Sequence, residues 1–350
     1  MRNNLKISVV LPVYNGERYI AESIKSVQAQ TYDQWELIVV DDGSQDATAQ
    51  IVQKYVEGDQ RIFLVSQKNQ GVSAARNRGI EEITGELLMF LDADDWFERT
   101  AFEKVIHHWD DSVQMLLFDY YDVPGKGNKQ YRKHFKEDRI VFGLDEGHSM
   151  DELILTISGY YPTYKMGILS APWGKVWKRD LIQKKELKFP ENIFAKEDQI
   201  FDINVCCEIE KALYVSEAIY NYRMNIASVT YEMYQKSGER LISNTIACNR
   251  YIRYAFNQKN STLYEKAYVK YVYDGVKIIL WWLAEEQSKD KKMLGRTYCY
   301  EQAKRVRAHL CQDYSIVDKT LLLFCEKKVF WMVESVVRLR KRGKRFLQLR

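Results

Sequence analysis

The sequence predicts an α/β fold in which a mostly parallel sheet is flanked by helices, followed by an all-helical C-terminal region. Three observations support this prediction. Apolar runs of strand length alternate with segments of helical periodicity over roughly the first 120 residues. These runs are continuously apolar, as expected of parallel strands that are buried on both faces. From about residue 234 onward, the sequence lacks proline and is helical in its periodicity.

The predicted elements follow in order along the chain. Strands are predicted at residues 5–13, 35–40, 61–65, 86–91, 114–118, 212–215 and 218–222, and helices at residues 18–30, 46–56, 72–83 and 99–108. Residues 123–150 interrupt the alternation with glycine, lysine and mixed charges, and we expect a long loop or irregular excursion there. We therefore expect an α/β domain over residues 1–230 and a helical region over residues 231–350.

The composition of the chain argues against several classes of function. With 350 residues and 46% apolar side chains, the chain can bury a large core, and its formal charge of +4 implies no nucleic-acid partner. The six cysteines lack paired spacing, which favours reduced thiols in a cytoplasmic protein, and the five histidines show no metal-ligand spacing. Neither a signal peptide nor a transmembrane helix is expected, because no apolar run is long enough. The absence of G-x-G-x-x-G after the first strand argues against a nicotinamide or flavin enzyme.

Acidic and aromatic residues follow three of the predicted strands. The first strand leads into residues 12–16, the second into residues 41–44 and the fourth into residues 92–95. Ligands of open parallel sheets bind at the carboxyl ends of the strands. We therefore expect these residues to converge on one crevice.

Asp92, Asp94 and Asp95 form a candidate metal site. Three carboxylates this close repel one another unless a cation lies among them, and Mg²⁺ or Mn²⁺ commonly joins one or two carboxylates to the phosphates of a substrate. The alternative is a solvated acidic turn. Because the cluster directly follows a continuous apolar run, the sequence favours a site for a metal and a diphosphate.

A second group of residues is predicted to contact a nucleotide. Asp42 could accept the N3–H of uracil, Tyr14 could stack on the base, and Pro12 would shape the turn before it. The alternative for Asp42 is a turn or helix-capping role. After the third strand, a segment that starts with glycine enters a helix rich in small residues, where Asn69 is a candidate base contact or turn cap. Arg76 is a candidate diphosphate ligand, and the alternative is an ordinary surface arginine.

With these motifs in order, the first 120 residues closely resemble the family-2 glycosyltransferases, which have the Rossmann-like GT-A fold. The matching strings are residues 9–15, 40–44, 71–79 and 90–95. The family pattern also has an acidic pair later in the chain, and residues 196–201 resemble it. Residues 173–177 and 220–223 are similar to bacterial enzymes of surface-polysaccharide and teichoic-acid glycosylation.

The resemblance implies an inverting, metal-dependent transferase of hexosyl groups that uses a nucleotide-diphosphate sugar, most simply a UDP-sugar. Asp94, with Asp92 or Asp95, would hold Mn²⁺ or Mg²⁺ on the donor diphosphate, and Asp42 and Tyr14 would bind uridine. Asp198 would be the general base, with Glu197 beside it as support or substitute. This assignment agrees with the chemistry, because a metal can neutralise the leaving diphosphate while a carboxylate deprotonates the acceptor hydroxyl on the opposite face of the sugar. The alternative for the acidic pair is stabilisation of a helix N-terminus.

Two further expectations concern the acceptor and the C-terminus. Trp173, Trp177 and Tyr164 are candidate platforms for an acceptor sugar, with core packing as the alternative. Residues 321–337 are predicted to form an amphipathic helix, and residues 326–350 contain nine Lys or Arg against two Asp or Glu. We expect this region to attach the protein to the inner face of the plasma membrane, beside a glycan or lipid-linked acceptor, or to form a homo-oligomer.

The leading interpretation is therefore a cytoplasmic enzyme of cell-envelope or extracellular polysaccharide synthesis. A sugar nucleotidyltransferase is the first alternative, but the turn after the first strand lacks the basic, glycine-rich triphosphate loop that this chemistry usually requires. A non-catalytic scaffold subunit that binds a nucleotide sugar is the second alternative. It is disfavoured because both acidic clusters are present.

Overall fold

A computed structural model describes residues 4–125, 128–144, 146–161, 169–224, 238–257, 259, 262–284, 286–308 and 316–337. The chain forms two compact units, Met1–Ile226 and Ala227–Arg350. The first is built from strands and helices and the second is helical, which confirms the predicted fold class.

One ten-stranded sheet organises the first unit. Its strands are β1 (Ile7–Val13), β2 (Trp35–Asp41), β3 (Ile62–Ser66), β4 (Leu87–Phe90), β5 (Trp96–Phe97), β6 (Met115–Pro124), β7 (Gln130–Arg132), β8 (Arg139–Gly143), β9 (Lys175–Lys178) and β10 (Lys211–Met224). They lie in the order β3-β2-β1-β4-β9-β6-β10-β5, with β7 paired to β6 and β8 to β10. The neighbours β3, β2, β1 and β4 are all parallel, whereas β9 runs antiparallel between β4 and β6. The parallel part carries the turns that the sequence singled out.

Helices lie between the strands of this unit. They are α1 (Ile20–Gln28), α2 (Thr48–Gly58), α3 (Val72–Glu82), α4 (Ala101–His108), α5 (Met150–Ile157), α6 (Arg179–Lys184) and α7 (Glu197–Glu208). The apolar face predicted for α1, formed by Ile20, Ile24 and Val27, is fully buried. Every residue of β1 and β2 is also buried, because the central strands of a parallel sheet are covered on both faces.

The prediction of a long loop or irregular excursion over residues 123–150 missed two short strands. β7 and β8 lie within it, and α5 begins at its end. Both strands pair antiparallel with longer partners, so their conformation depends on tertiary hydrogen bonds that a local pattern does not reveal. The two short strands predicted near residues 212–222 are one strand, β10, with register irregularities between Val215 and Tyr220.

The second unit contains α8 (Gly238–Asn257), α9 (Thr262–Leu283), α10 (Lys289–Ala308) and α11 (Ile316–Glu326), and residues 330–337 are also helical. The single amphipathic helix predicted over residues 321–337 is therefore wrong, because α11 ends and Lys328 adopts a left-handed φ of +59°. Leu322 and Val333 are fully buried, while Trp331 is 65% exposed. Much of the apolar surface that was expected to face a membrane thus packs inside the protein. Within the described residues, no helix is both long enough and apolar enough to span a bilayer, and the basic residues 338–350 lie outside them.

Candidate active site

The turns that follow β1 and β2 are bonded to each other. The Asn15 N–H donates to Ser44 Oγ (2.9 Å), and the Gln45 N–H donates to Asn15 Oδ1 (2.8 Å). Asn15 has a φ of +52°, a conformation that asparagine tolerates better than most residues. Tyr14 lies in this turn and is 48% exposed, so one part of its ring is available to a ligand. The expected convergence of these two strand ends is therefore observed.

Pro12 lies inside β1 rather than in the turn. The Ile7 N–H points towards β2, where it donates to the Gln34 carbonyl (3.0 Å), so by alternation the nitrogen of residue 12 points towards β4. Pairing of β1 with β4 ends at Val10, and a proline two residues later removes no ladder hydrogen bond. Pro12 is buried in the sheet, and its predicted contact with a nucleotide stays a prediction.

Asp42 holds the loop between β3 and α3. It is 3% exposed, and its Oδ1 accepts hydrogen bonds from Gln67 Nε2 (2.8 Å) and the Gln70 N–H (2.9 Å), while Oδ2 accepts one from the Gly71 N–H (2.8 Å). Three donors use both oxygens, so a uracil N3–H would have to bond at the remaining acceptor position of Asp42 or displace one of these donors. The turn-forming alternative from the sequence thus describes the contacts of Asp42, and the uracil contact stays a prediction.

Gly43 makes the approach of this loop possible. It has a φ of +76°, and a Cβ at this position would lie 2.9 Å from the Asn69 backbone nitrogen. A larger residue would clash with backbone that cannot move aside cheaply. Asn69 itself is exposed beside the turn, where its predicted contact with a base remains open.

Asp95 faces the protein interior. It is 1% exposed, its Oδ2 accepts from Tyr220 Oη (2.8 Å), and its Oδ1 accepts from the Arg223 N–H (2.7 Å). Burial raises the pKa of Asp95, and the charges of Asp94 and Asp92 raise it further. Because its oxygens are already bonded inside the fold, Asp95 supports the turn and is not a metal ligand, which corrects the prediction. Asp92 and Asp94 remain partly exposed.

The turn from Asp92 to Asp95 is held by residues to which the sequence reasoning assigned no role. Arg223 Nε donates to the Asp94 carbonyl (2.7 Å), and Ser23 Oγ donates to the Asp95 carbonyl (2.7 Å). Tyr220 Oη accepts from the Asp92 N–H (3.1 Å) while it donates to Asp95. Tyr220 and Arg223 belong to β10, far away in sequence. The similarity of residues 220–223 to bacterial glycosyltransferases was the one feature of the sequence that pointed to Tyr220 and Arg223.

Arg76 joins two acidic groups from distant parts of the chain. It lies on α3 and is 4% exposed; its Nη2 donates to Asp92 Oδ1 (3.0 Å) and its Nη1 to Glu197 Oε1 (3.2 Å). Burial alone would lower the pKa of Arg76, but Asp92, Glu197 and Asp198 raise it above its ordinary value. The surface-arginine alternative is therefore wrong, because this guanidinium is a buried cation at the centre of the acidic residues.

Asp198 lies beside this centre at the start of α7. It is partly exposed, and its Oδ1 accepts from the Gln199 N–H (2.7 Å). Burial, together with repulsion from Glu197, raises the pKa of Asp198 to about 7, although Arg76 acts in the opposite direction. A carboxylate with a pKa near the working pH is well suited to accept a proton. The helix N-terminal position and a catalytic role are thus compatible.

Trp173 and Trp177 are not an acceptor platform. Trp177 is fully buried and packs edge-on against Phe90, with ring centroids 5.4 Å apart. Trp173 is 4% exposed and stacks on Tyr220 at 4.7 Å. A platform for a sugar needs an exposed ring face, so the core-packing alternative is correct for both. Tyr164, the third candidate platform residue, lies outside the described residues.

A divalent cation could be held by Asp92 and Asp94. Within the described ranges, no three His, Cys, Asp or Glu side chains are grouped as a preformed metal cage. Mg²⁺, however, is usually bound by one or two carboxylates together with substrate phosphates and waters. Two partly exposed carboxylates on one turn, anchored by Arg76 and Arg223, fit that donor set.

Known proteins agree with this architecture. The sequence profile described as Glycosyl transferase family 2 matches residues 8–171. The chain is 30% identical to EpsH of Bacillus subtilis, which is named as a glycosyltransferase, over 269 residues that are 74% of this chain and 71% of EpsH. It is 31% identical to the glycosyltransferase GlyA of Streptococcus pneumoniae serotype 4 over 235 residues, which cover 64% of this chain and 31% of GlyA.

A solved structure has the same fold. Staphylococcus aureus TarS 1–349 in complex with UDP-GlcNAc aligns with a TM-score of 0.67 at 21% identity, covering 97% of this chain and 92% of that chain. TarS is named a poly(ribitol-phosphate) β-N-acetylglucosaminyltransferase, and this chain matches 35% of its length at 28% identity. The sequence match to EpsH and the shared fold lead to one conclusion: this protein is a member of glycosyltransferase family 2 with the GT-A fold.

Proposed function

We propose that this glycosyltransferase moves a sugar from a UDP-sugar to a hydroxyl group of a glycan or lipid-linked acceptor, with inversion and with a divalent metal. The observation that carries the proposal is the bridge formed by Arg76. It joins Asp92, at the carboxyl edge of the parallel strands, to Glu197, the neighbour of Asp198. The proposed diphosphate site and the proposed proton acceptor would therefore adjoin one buried cation.

The donor would lie along the carboxyl edge of β1, β2 and β4. The exposed ring of Tyr14 offers a stacking surface for the base, and Asp42 holds the loop beside it. Uridine is favoured because TarS, which shares the fold, is described in complexes with UDP and UDP-GlcNAc. Arg76 would contribute positive charge next to the diphosphate.

Mn²⁺ or Mg²⁺ would be held by Asp92 and Asp94. A bound divalent ion would neutralise the charge that develops on the leaving diphosphate. The residues of this chain prepare that site, because Arg76 orients Asp92 and Arg223 fixes the backbone at Asp94. Asp95, with its raised pKa and its bonds to Tyr220 and Arg223, stays within the supporting structure.

Asp198 would accept the proton of the acceptor hydroxyl as that oxygen attacks the sugar. Glu197 accepts a hydrogen bond from Arg76 and would serve as support. Attack from the side opposite the leaving group in a single displacement inverts the anomeric centre. A product in the cell envelope or an exported polysaccharide is proposed because one relative, TarS, is named a poly(ribitol-phosphate) β-N-acetylglucosaminyltransferase, whose acceptor is a polymer.

A melting experiment with a panel of nucleotide sugars tests the donor and the metal. We expect UDP-sugars to raise the melting temperature in the presence of Mn²⁺, and we expect chelation to remove most of that shift. Asp94→Asn should lose the metal-dependent part, whereas Asp180→Asn on α6 should keep it. An equal shift without metal would contradict the metal assignment.

Two other outcomes would favour the alternative functions. Pyrophosphate release from a nucleoside triphosphate would favour the nucleotidyltransferase, and binding of a nucleotide sugar without transfer or hydrolysis would favour the scaffold subunit.

A place at the membrane surface is a further part of the proposal. It is supported by the basic composition of residues 338–350 and by exposed apolar side chains of the second unit, such as Trp331 and Met293. We expect the full chain to sediment with anionic vesicles and to be released by salt. Sedimentation with neither anionic nor neutral vesicles would leave oligomerisation as the proposed use of this surface.

A further inference from the structure

A buried ion pair lies next to the proposed general base. Lys175 on β9 is 2% exposed and Asp202 on α7 is fully buried. Lys175 Nζ donates to Asp202 Oδ2, to the Leu169 carbonyl (2.6 Å) and to the Ala171 carbonyl. All three ammonium donors are therefore used, and the pair connects β9, α7 and the segment that leads into β9.

Asp202 is four residues after Asp198, so the two side chains lie one turn apart on the same face of α7. Asp202 Oδ1 is buried and has no hydrogen-bond partner among the described residues. Burial raises the pKa of Asp202 while its bonded Lys175 lowers it, and the negative charge of Asp202 in turn contributes to the raised pKa of Asp198. The pair is thus electrically coupled to the proposed base.

The other charged groups near Asp198 lie on α7 itself and on α3. Glu197 precedes it on α7, and Arg76 on α3 bridges Glu197 to Asp92. α5 also packs on α7, and Gln199 Nε2 donates to the Ile157 carbonyl at its end (2.8 Å). The acidic residues of α5 are in its first turn, at the opposite end from that contact.

A contact that only joined β9 to α7 would not require a lysine and an aspartate. Replacing a buried ion pair by apolar side chains of similar volume is often neutral or stabilising, because both charges must be removed from water. Here, however, one carboxylate of the pair is placed a single turn from Asp198, with an unbonded oxygen. Its location gives it an effect on the base that an apolar pair would lack.

We propose that Lys175 and Asp202 are positioning residues that tune the proton affinity of Asp198. They would hold the start of α7, and the buried charge of Asp202 would set the pH range in which Asp198 can accept the acceptor's proton. This inference rests on the proposed function of Asp198. It assigns neither residue a contact with substrate.

The pH dependence of turnover tests this inference. Asp202→Asn keeps the side-chain shape but leaves the positive charge of Lys175 uncompensated, which favours ionised Asp198. The acid limb of the kcat profile should therefore move to lower pH by about 1.5 units, as expected for one charge at roughly 8 Å and an effective dielectric constant of about 20. The double variant Lys175→Met, Asp202→Leu removes both charges. The acid limb of its kcat profile should also move to lower pH, but by a smaller amount.

Controls separate this effect from loss of structure. Asp180→Asn, which removes a carboxylate from α6, should leave the limb in place, and circular dichroism should show folded protein for each variant. If the asparagine variant does not fold, the apolar double variant carries the test, because it needs no buried charge. An unmoved acid limb in folded Asp202 variants would overturn the inference while Asp198→Asn stays inactive. Full turnover of Asp198→Asn would instead overturn the proposed function, and this inference with it.

Discussion

Asp198→Asn is expected to lower turnover by about 10²- to 10⁴-fold while UDP binding stays intact. The amide cannot accept a proton at neutral pH, yet it occupies the same space at the start of α7. The hydrogen bond that Asp198 accepts comes from the Gln199 N–H of its own helix, whereas the nucleotide is proposed to bind at the carboxyl edge of β1 and β2. Steady-state turnover and calorimetric titration with UDP measure the two effects separately. Unchanged turnover would remove Asp198 from the mechanism.

The stability of Asp198→Asn relative to the wild-type protein is also expected to depend on pH. The pKa of Asp198 rises from an ordinary value of 3.8 to about 7 in the folded protein, mainly through burial and then through Glu197. Between those values the folded state holds the proton more tightly than the unfolded state, so ionisation of Asp198 reduces stability as the pH rises from about 4 to about 7. The melting temperature of Asp198→Asn relative to wild type should therefore increase across this window and level off above it. Asp180→Asn should not show this increase.

Arg76→Met is expected to destabilise the protein by about 3–5 kcal/mol and to abolish transfer. The side chain is 4% exposed, and its removal leaves Asp92 and Glu197 without their shared cation next to Asp198. Removing one partner of a buried ion pair is costly, because the remaining charge stays in a poorly solvated place. Denaturant unfolding and donor-dependent turnover measure the two consequences.

Two variants serve as controls for Arg76. Arg78→Met removes an exposed arginine of the same helix that pairs with Glu82, and we expect a change of about 0.5 kcal/mol or less. Arg76→Lys keeps the charge but lacks the planar fork that reaches two carboxylates, so partial recovery of stability with little activity is expected. A similar loss for Arg76→Met and Arg78→Met would show that the bridge is not important.

Much of the donor edge could be predicted from the sequence. The apolar runs that end in residues 12–16, 41–44 and 92–95 are local signals, and parallel strands bring their carboxyl ends to the same edge of a sheet. The helix beginning at Glu197 was likewise visible as an acidic start before an apolar pattern. These features depend on near neighbours in the chain.

The state of individual side chains could not be predicted in this way. Asp92, Asp94 and Asp95 look equivalent in sequence, yet Asp95 is buried by Tyr220 and Arg223 from β10. The tryptophans at positions 173 and 177 are likewise core residues, because rings from other elements cover them.

By itself, the sequence determined the fold class, the order of the acidic and aromatic turns that follow the parallel strands, and the family to which the chain belongs. Only the tertiary structure decided that Arg76 is a bridge rather than a surface residue, that Asp42 holds a loop and that Lys175 pairs with Asp202 close to Asp198. The physical reason is that backbone conformation and periodicity are set by neighbouring residues. Burial, charge pairing and proton affinity depend instead on atoms that folding brings together from distant parts of the chain, 25 residues apart for Asp42 and Gln67 and 121 residues apart for Arg76 and Glu197.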